Sequence, residues 1–234
     1  MYGFWMASPL AKRTVMKFWY AYVGMLNSAR PSITIEGKRL AVSPHVCKPL
    51  ENEYAVADYC RPGDRVLDLG CGSGVLAVFA ADKAREVVAV DISPPAIEDT
   101  MENCRRLGLT NVTVKRSDMF SNVDGKFDIV LTNPPYISLE LESEEQQWAT
   151  SVRFLPALFS QVGDHLVDGG RLLLIFPLWY RKRLEKLAAV HGLELLEVKR
   201  TPPRSLALRL LRLAYMQVAS RPAFYLFRVK PGLA

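Results

Sequence analysis

The run Val66-Leu67-Asp68-Leu69-Gly70-Cys71-Gly72-Ser73-Gly74-Val75-Leu76-Ala77-Val78 constrains this chain more than any other stretch. A short apolar run with β-branched content, three alternating glycines and a second apolar run read as buried strand, tight turn and helix. Glycine suits such a turn because a residue without a Cβ lets the backbone bend sharply and approach a ligand at the start of the helix. A dinucleotide fingerprint would place its third glycine three residues after the second. Position 75 is Val, and the glycines fall instead at 70, 72 and 74 behind an acid at 68. The stretch therefore predicts a strand–turn–helix unit of an α/β protein, with a small ligand over the turn.

Two further motifs follow at βαβ spacing. Val87-Val88-Ala89-Val90-Asp91 is a second strand ending in an acid, 21 residues beyond Gly70. A carboxylate there can accept both ribose hydroxyls of an adenosine. Phe127-Asp128-Ile129-Val130-Leu131-Thr132-Asn133-Pro134-Pro135-Tyr136 is a third strand, stopped by two prolines that cannot join a central ladder. Alone, its end would read as an Asx-type turn.

Together the motifs resemble class I S-adenosylmethionine (SAM) dependent methyltransferases. Asp68-x-Gly70-x-Gly72-x-Gly74 matches their glycine motif, and Asn133 to Tyr136 is similar to the Asn-Pro-Pro-Tyr group. That group methylates amino nitrogens on planar carbon: the exocyclic amine of adenine, or the glutamine amide in the HemK-like release-factor methyltransferases. The resemblance implies an α/β, doubly wound, Rossmann-like sheet of seven mostly parallel strands. It also implies SAM as cofactor, held by Asp68, Gly70, Cys71, Gly72, Gly74, Asp91, Ile92, Asp118, Met119 and Asn133. Asp118 would bond the adenine amino group and Met119 or Phe120 would cover the ring; on chemistry alone Asp118 could equally cap a helix. Asn133, Pro134 and Tyr136 would be the catalytic set. The Asn133 side-chain oxygen and Pro134 carbonyl would accept the two N–H bonds of the acceptor, and Tyr136 would stack on its planar group. Positioning then supplies catalysis, with no metal and no covalent enzyme intermediate.

At 234 residues the chain has room for one α/β domain with a buried core and an accessory segment. We divide it into residues 1–50, an N-terminal helix and hairpin expected to act as a substrate lid, and residues 51–234, the methyltransferase domain. Its four cysteines form no Cys-x-x-Cys pair and accompany only three histidines, so a zinc site or disulfide framework is not expected. A reducing cytoplasm is the expected compartment, with or without peripheral contact with a membrane surface. No signal peptide is recognised, and the uncharged run from Phe18 to Ala29 has twelve residues, too few to span a bilayer.

The accessory parts are apolar and unusual. Pro9 and then Leu10 to Leu26 read as an apolar-rich helix that packs as a lid, meets a second copy or lies on a membrane. Ile33 and Ile35, then Leu40 and Val42, alternate around Glu36-Gly37-Lys38 as a hairpin. Pro49-Leu50-Glu51-Asn52-Glu53 looks like the HemK-family ending Pro-x-Glu-Thr-Glu, with Asn52 in place of Thr, and leads into a helix over about residues 51–59. Further helices are expected at 94–107, 155–166 and 181–191, with strands at 112–114, 171–176, 193–198 and 224–229. An insertion at about 202–222 carries leucine stripes interleaved with Arg204, Arg209 and Arg212. From Val198 to the end there are eight basic residues and no acid, so of the net +6 the preceding residues carry −2. This 199–230 region suits an anionic partner, or is a solvated face. After Tyr136 the acidic cluster Glu140, Glu142, Glu144 and Glu145 stands where the HemK family has a glycine-rich turn, and residues 1–50 are not expected to hold that family's N-terminal helical domain. Three acceptors therefore stand: a protein glutamine, a small molecule in a closed apolar pocket, and an adenine amine of RNA or DNA.

Overall fold

The computed structural model describes residues 9–50, 52–136, 153–200, 206–214 and 222–230. Helix α1 (Pro9–Ala29) leads into a hairpin of β1 (Ser32–Ile35) and β2 (Lys38–Ala41). The hairpin turns on Glu36 and Gly37, both at positive φ (45° and 79°), the two-residue turn whose twist matches paired strands. A 3-10 helix (Glu53–Asp58) stands where an α-helix over 51–59 was expected, and the main sheet follows.

That sheet comprises β3 (Arg65–Leu69), β4 (Glu86–Asp91), β5 (Val112–Arg116), β6 (Phe127–Thr132), β7 (Leu166–Pro177), β8 (Leu193–Arg200) and β9 (Pro222–Val229). Its order is β5-β4-β3-β6-β7-β9-β8, and β9 alone runs antiparallel to its neighbours. Between the strands lie α2 (Val75–Ala80), α3 (Pro94–Arg106), α4 (Phe154–Gln161), α5 (Arg181–Val190) and α6 (Leu206–Ala214). This is the doubly wound sheet of seven mostly parallel strands expected from the motifs, with its switch point between β3 and β6.

Alternate residues of each central strand feed opposite faces. Leu67, Leu69, Val88, Val90 and Val130 enter the core under α4 and α5, whereas Val66, Val87, Ala89 and Ile129 enter the core under α2 and α3. Both faces are covered, so the strands are apolar almost throughout. The helix expected over 155–166 stops at Gln161. A 3-10 turn takes Val162–His165, and β7 begins at Leu166, pairing with Phe127 before a bulge resets its register at Arg171. Arg171 then closes a buried ion pair on Asp64 at 2.6 Å, tying β7 to the turn ahead of β3.

The insertion helix α6 lies against the N-terminal helix. Leu211 packs with Trp19, Val23, Leu26 and Leu50, and the Tyr22 hydroxyl donates to the Ala214 carbonyl at 2.9 Å. Arg204 and the acidic cluster 140–145 fall outside the described residues.

Candidate active site

The glycine turn rises from the end of β3. Gly70, Gly72 and Gly74 sit at φ of 75°, 56° and 77°, conformations that a side chain would strain. Gly74 is further constrained, because a Cβ there would lie 2.8 Å from the Thr100 methyl. Above Gly70 and Gly72 the nearest groups are Phe154 and Val46, each nearly 4 Å from where a Cβ would stand, so the backbone faces a shallow space with apolar walls.

Two carboxylates brace the turn. Asp68 is fully buried; one oxygen accepts the Ala77 N–H at 2.9 Å and the other has no hydrogen-bond partner among the described residues. Burial pushes its pKa up to about 7, against the Ala77 hydrogen bond and with a contribution from the Asp91 charge. Asp91 ends β4 and is half-buried; its oxygens accept the N–H groups of Gly72 (3.0 Å) and Ser93 (2.9 Å), and burial again raises its pKa. Each oxygen keeps a lone pair for a hydroxyl. The expected cofactor set therefore divides by role. Asp68 stands beneath the loop, Asp91 stands at its side, and the Cys71 side chain turns inward, its Sγ 3.3 Å from the Thr100 hydroxyl, leaving only its backbone in the turn. An orphaned buried carboxylate oxygen, a second carboxylate at a strand end and a side-chain-free turn suit a ligand with a cationic amino acid part and a ribose, as in SAM.

Farther along the edge, Asp118 is exposed at the end of β5, and Ile92 is half-buried with its carbonyl taken by Arg116. Met119 adopts φ 49°, an uncommon conformation for a residue with a side chain. Phe120 is buried and stacked on His165 with centroids 4.5 Å apart, so of the two residues expected to cover a ring only Met119 remains at the edge.

Asn133 follows β6 directly, and the Thr132 hydroxyl donates to the Leu69 carbonyl at 2.8 Å, locking that strand end to the start of the glycine turn. The Asn133 carboxamide is held from both sides. Its oxygen accepts the Tyr136 hydroxyl at 2.7 Å, and its nitrogen donates to Glu53 at 3.5 Å. The Tyr136 ring meets Phe176 edge-on at 5.5 Å. A carboxamide oxygen has two lone pairs, so Asn133 can accept one further N–H while Tyr136 fixes its orientation. Glu53, only 1% exposed, is the first residue of the 3-10 helix.

Sequence reasoning passed over a polar stripe of α3. Asp99 accepts the N–H and hydroxyl of Ser43; Thr100 donates to the Gly72 carbonyl; Asn103 bonds both backbone groups of Ala41 and the Ser73 carbonyl. These side chains staple the hairpin to the glycine turn. The available signal was the placement of Asp99, Thr100 and Asn103 beside Ala96 and Cys104 on the face that the helical pattern buries.

Fold and geometry together define a Rossmann-like protein with a glycine turn braced by two carboxylates and, beside it, the carboxamide of Asn133. Residues 56–190 match the methyltransferase small domain family, and the chain belongs to that family. A Methanocaldococcus jannaschii protein with the provisional name protein N5-glutamine methyltransferase is 38% identical over 108 residues, 45% of this chain and 54% of its own. The release factor glutamine methyltransferase of Cereibacter sphaeroides is 33% identical over 156 residues (59% and 56%), and the ribosomal RNA small subunit methyltransferase C of Chromohalobacter salexigens is 32% identical over 123 (50% and 34%). This chain thus spans about half or less of each relative's length. A solved methyltransferase from Pyrococcus furiosus shares the fold, with a TM-score of 0.59 at 17% identity over 92% of this chain and 98% of that one.

Proposed function

We propose that the chain is a SAM-dependent N-methyltransferase acting on a planar amino or amide nitrogen, with a protein glutamine side chain as its acceptor. The observation that carries the reading is the Asn133 carboxamide, fixed between Tyr136 and Glu53 and locked through Thr132 to the cofactor turn. The relatives named for glutamine methylation, and the likeness of Pro49 to Glu53 to the HemK pattern, favour glutamine over an adenine amine or a small molecule.

An amide nitrogen is a poor nucleophile because its lone pair is delocalised, so the chain must orient it. Asn133 Oδ1 and the Pro134 carbonyl would accept its two N–H bonds, turning the lone pair toward the cofactor edge, and the Tyr136 ring edge would flank the amide plane. Asp68, Asp91 and the glycine backbone would hold SAM, with Asp118 and Met119 at its adenine end. SAM, when bound, supplies an electrophilic methyl on a sulfonium. The residues contribute alignment and hydrogen-bond acceptors placed where positive charge develops on the nitrogen.

Extract incubated with SAM carrying a labelled methyl group and then fractionated tests the acceptor. Label recovered as N-methylglutamine in protein is expected. Label in RNA or in small molecules would overturn the glutamine assignment while keeping methyl transfer, and no label anywhere would overturn both.

A further inference from the structure

A helix on a globular surface needs one apolar stripe, and α1 has two. Trp19, Val23 and Leu26 face inward, against Leu50 and Leu211. About a quarter turn round the helix, Val15, Phe18, Tyr22 and Met25 form a second stripe at spacings of three and four. This one is open: Val15 is 49% exposed, Phe18 68% and Met25 60%. Helix α6 continues it. While Leu211 packs inward, Leu210 and Leu213 are 58% and 61% exposed. The two helices meet where the Tyr22 hydroxyl donates to the Ala214 carbonyl, and on α1 the Phe18 ring stacks on that same Tyr22 at 6.4 Å. Five of the nine large apolar side chains found exposed among the described residues lie on these two helices.

Along these two helices the sequence carries charge of one sign. Neither helix contains an Asp or Glu, and Lys17 and Arg209 are exposed on them. A groove for another protein would gain from charges of both signs at its rim, whereas an apolar face with cations alone is the pattern of helices that lie in a bilayer interface. No helix among the described residues is long and apolar enough to cross a membrane, which leaves lying on it as the compatible geometry.

We propose that α1 and α6 form a docking face for an anionic lipid bilayer. Phe18, Met25, Leu210 and Leu213 enter the headgroup region, and Lys17 meets lipid phosphates. The face belongs to the accessory segments and stands whether or not glutamine is the acceptor.

The test is co-flotation of the full chain with vesicles of phosphatidylcholine alone and of phosphatidylcholine mixed with phosphatidylglycerol. Binding to the mixed vesicles, about tenfold or more tighter than to the neutral ones and weakened by salt, is expected. Leu210→Ser with Leu213→Ser should lower it about tenfold or more, since each leucine loses its apolar burial. Both side chains are already in water in the free protein, so the thermal midpoint should hold. Val190→Ser, at an exposed apolar site on α5, should change nothing. Failure to bind mixed vesicles, loss of binding with Val190→Ser to the same degree, or a dimer that the leucine double variant dissolves without vesicle binding would each overturn the proposal.

Discussion

The two sides of the switch point are built differently. On the β3–β4–β5 side, side chains and backbone close on one another: Asp68 on Ala77, Asp91 on Gly72 and Ser93, Thr100 and Asn103 on the glycine turn. Beyond β6, Asn133 rests on a neighbour in its own loop, Tyr136, and on one distant residue, Glu53, 80 positions away, while α1 and α6 meet through an apolar cluster and the Tyr22–Ala214 hydrogen bond. The first side is densely cross-linked by local hydrogen bonds, as suits the proposed cofactor mould. The second is assembled from parts farther apart in the chain, the arrangement in which a change of proposed acceptor could be accommodated.

The sharpest way to separate the two sides is Asn133→Ala. Methyl transfer should fall by about a hundredfold to a thousandfold, the usual effect of removing one preorganised polar group at a reacting centre. SAM affinity measured by calorimetry should stay within about twofold, a difference of less than 0.5 kcal/mol. Turnover close to that of the parent would show that Asn133 is not the acceptor's partner.

Asp68 tests the cofactor side through pH. Its folded pKa of about 7 lies above the ordinary carboxylate value, so between roughly pH 4 and pH 7 the folded chain holds a proton that the unfolded chain has released. Stability should therefore decline as pH rises through that window, by on the order of a few kcal/mol, and level off above it. Urea melts across pH check the slope. Asp68→Asn should flatten it, leaving the part due to Asp91, whose pKa burial also raises. Saturating SAM should flatten it too, because a bound cation favours the ionised carboxylate.

Gly74→Ala strikes the same side through the backbone. A φ of 77° and a Cβ 2.8 Å from the Thr100 side chain should together cost about 1 to 3 kcal/mol of stability and weaken SAM binding in proportion. Gly37→Ala makes the comparison, since the conformation is alike (φ 79°) but nothing lies within 4 Å of the added methyl. It should destabilise less and leave SAM affinity unchanged.

The two sides also differed in how far the sequence foretold them. The glycine turn, the acids at 68 and 91, the hairpin at Glu36-Gly37 and the helix opened by Pro94 are signalled by neighbouring residues, because turn chemistry and periodicity are local. What escaped was set by pairing over long separations. The buried ion pair Asp64–Arg171 spans 107 residues and the Glu53–Asn133 contact spans 80, and neither residue type declares its partner. Motif position does not tell which way the Phe120 and Cys71 side chains turn; His165 and Thr100, contributed by other elements, receive them. The helix expected to 166 ended early because the β7 pairing of Leu166 with Phe127 outweighed local helical preference.

The smallest predicted effect examines the contact that joins the two sides. Glu53 lies ahead of β3, yet its carboxylate accepts from the Asn133 nitrogen, so under the proposed function it is a positioning residue that orients the carboxamide. At 3.5 Å the bond is long, and Glu53→Gln keeps an oxygen able to accept it while removing the charge that strengthens it. The turnover number should drop by about threefold to tenfold, with KM for the acceptor and SAM affinity little changed, since a rotated Asn133 misaligns the nitrogen without closing the site. Glu53→Ala, which withdraws the oxygen altogether, should go further toward Asn133→Ala. If the Gln and Ala variants instead lose stability in step and turnover per folded molecule is untouched, Glu53 is a packing residue and the acceptor edge is oriented from the Tyr136 side alone.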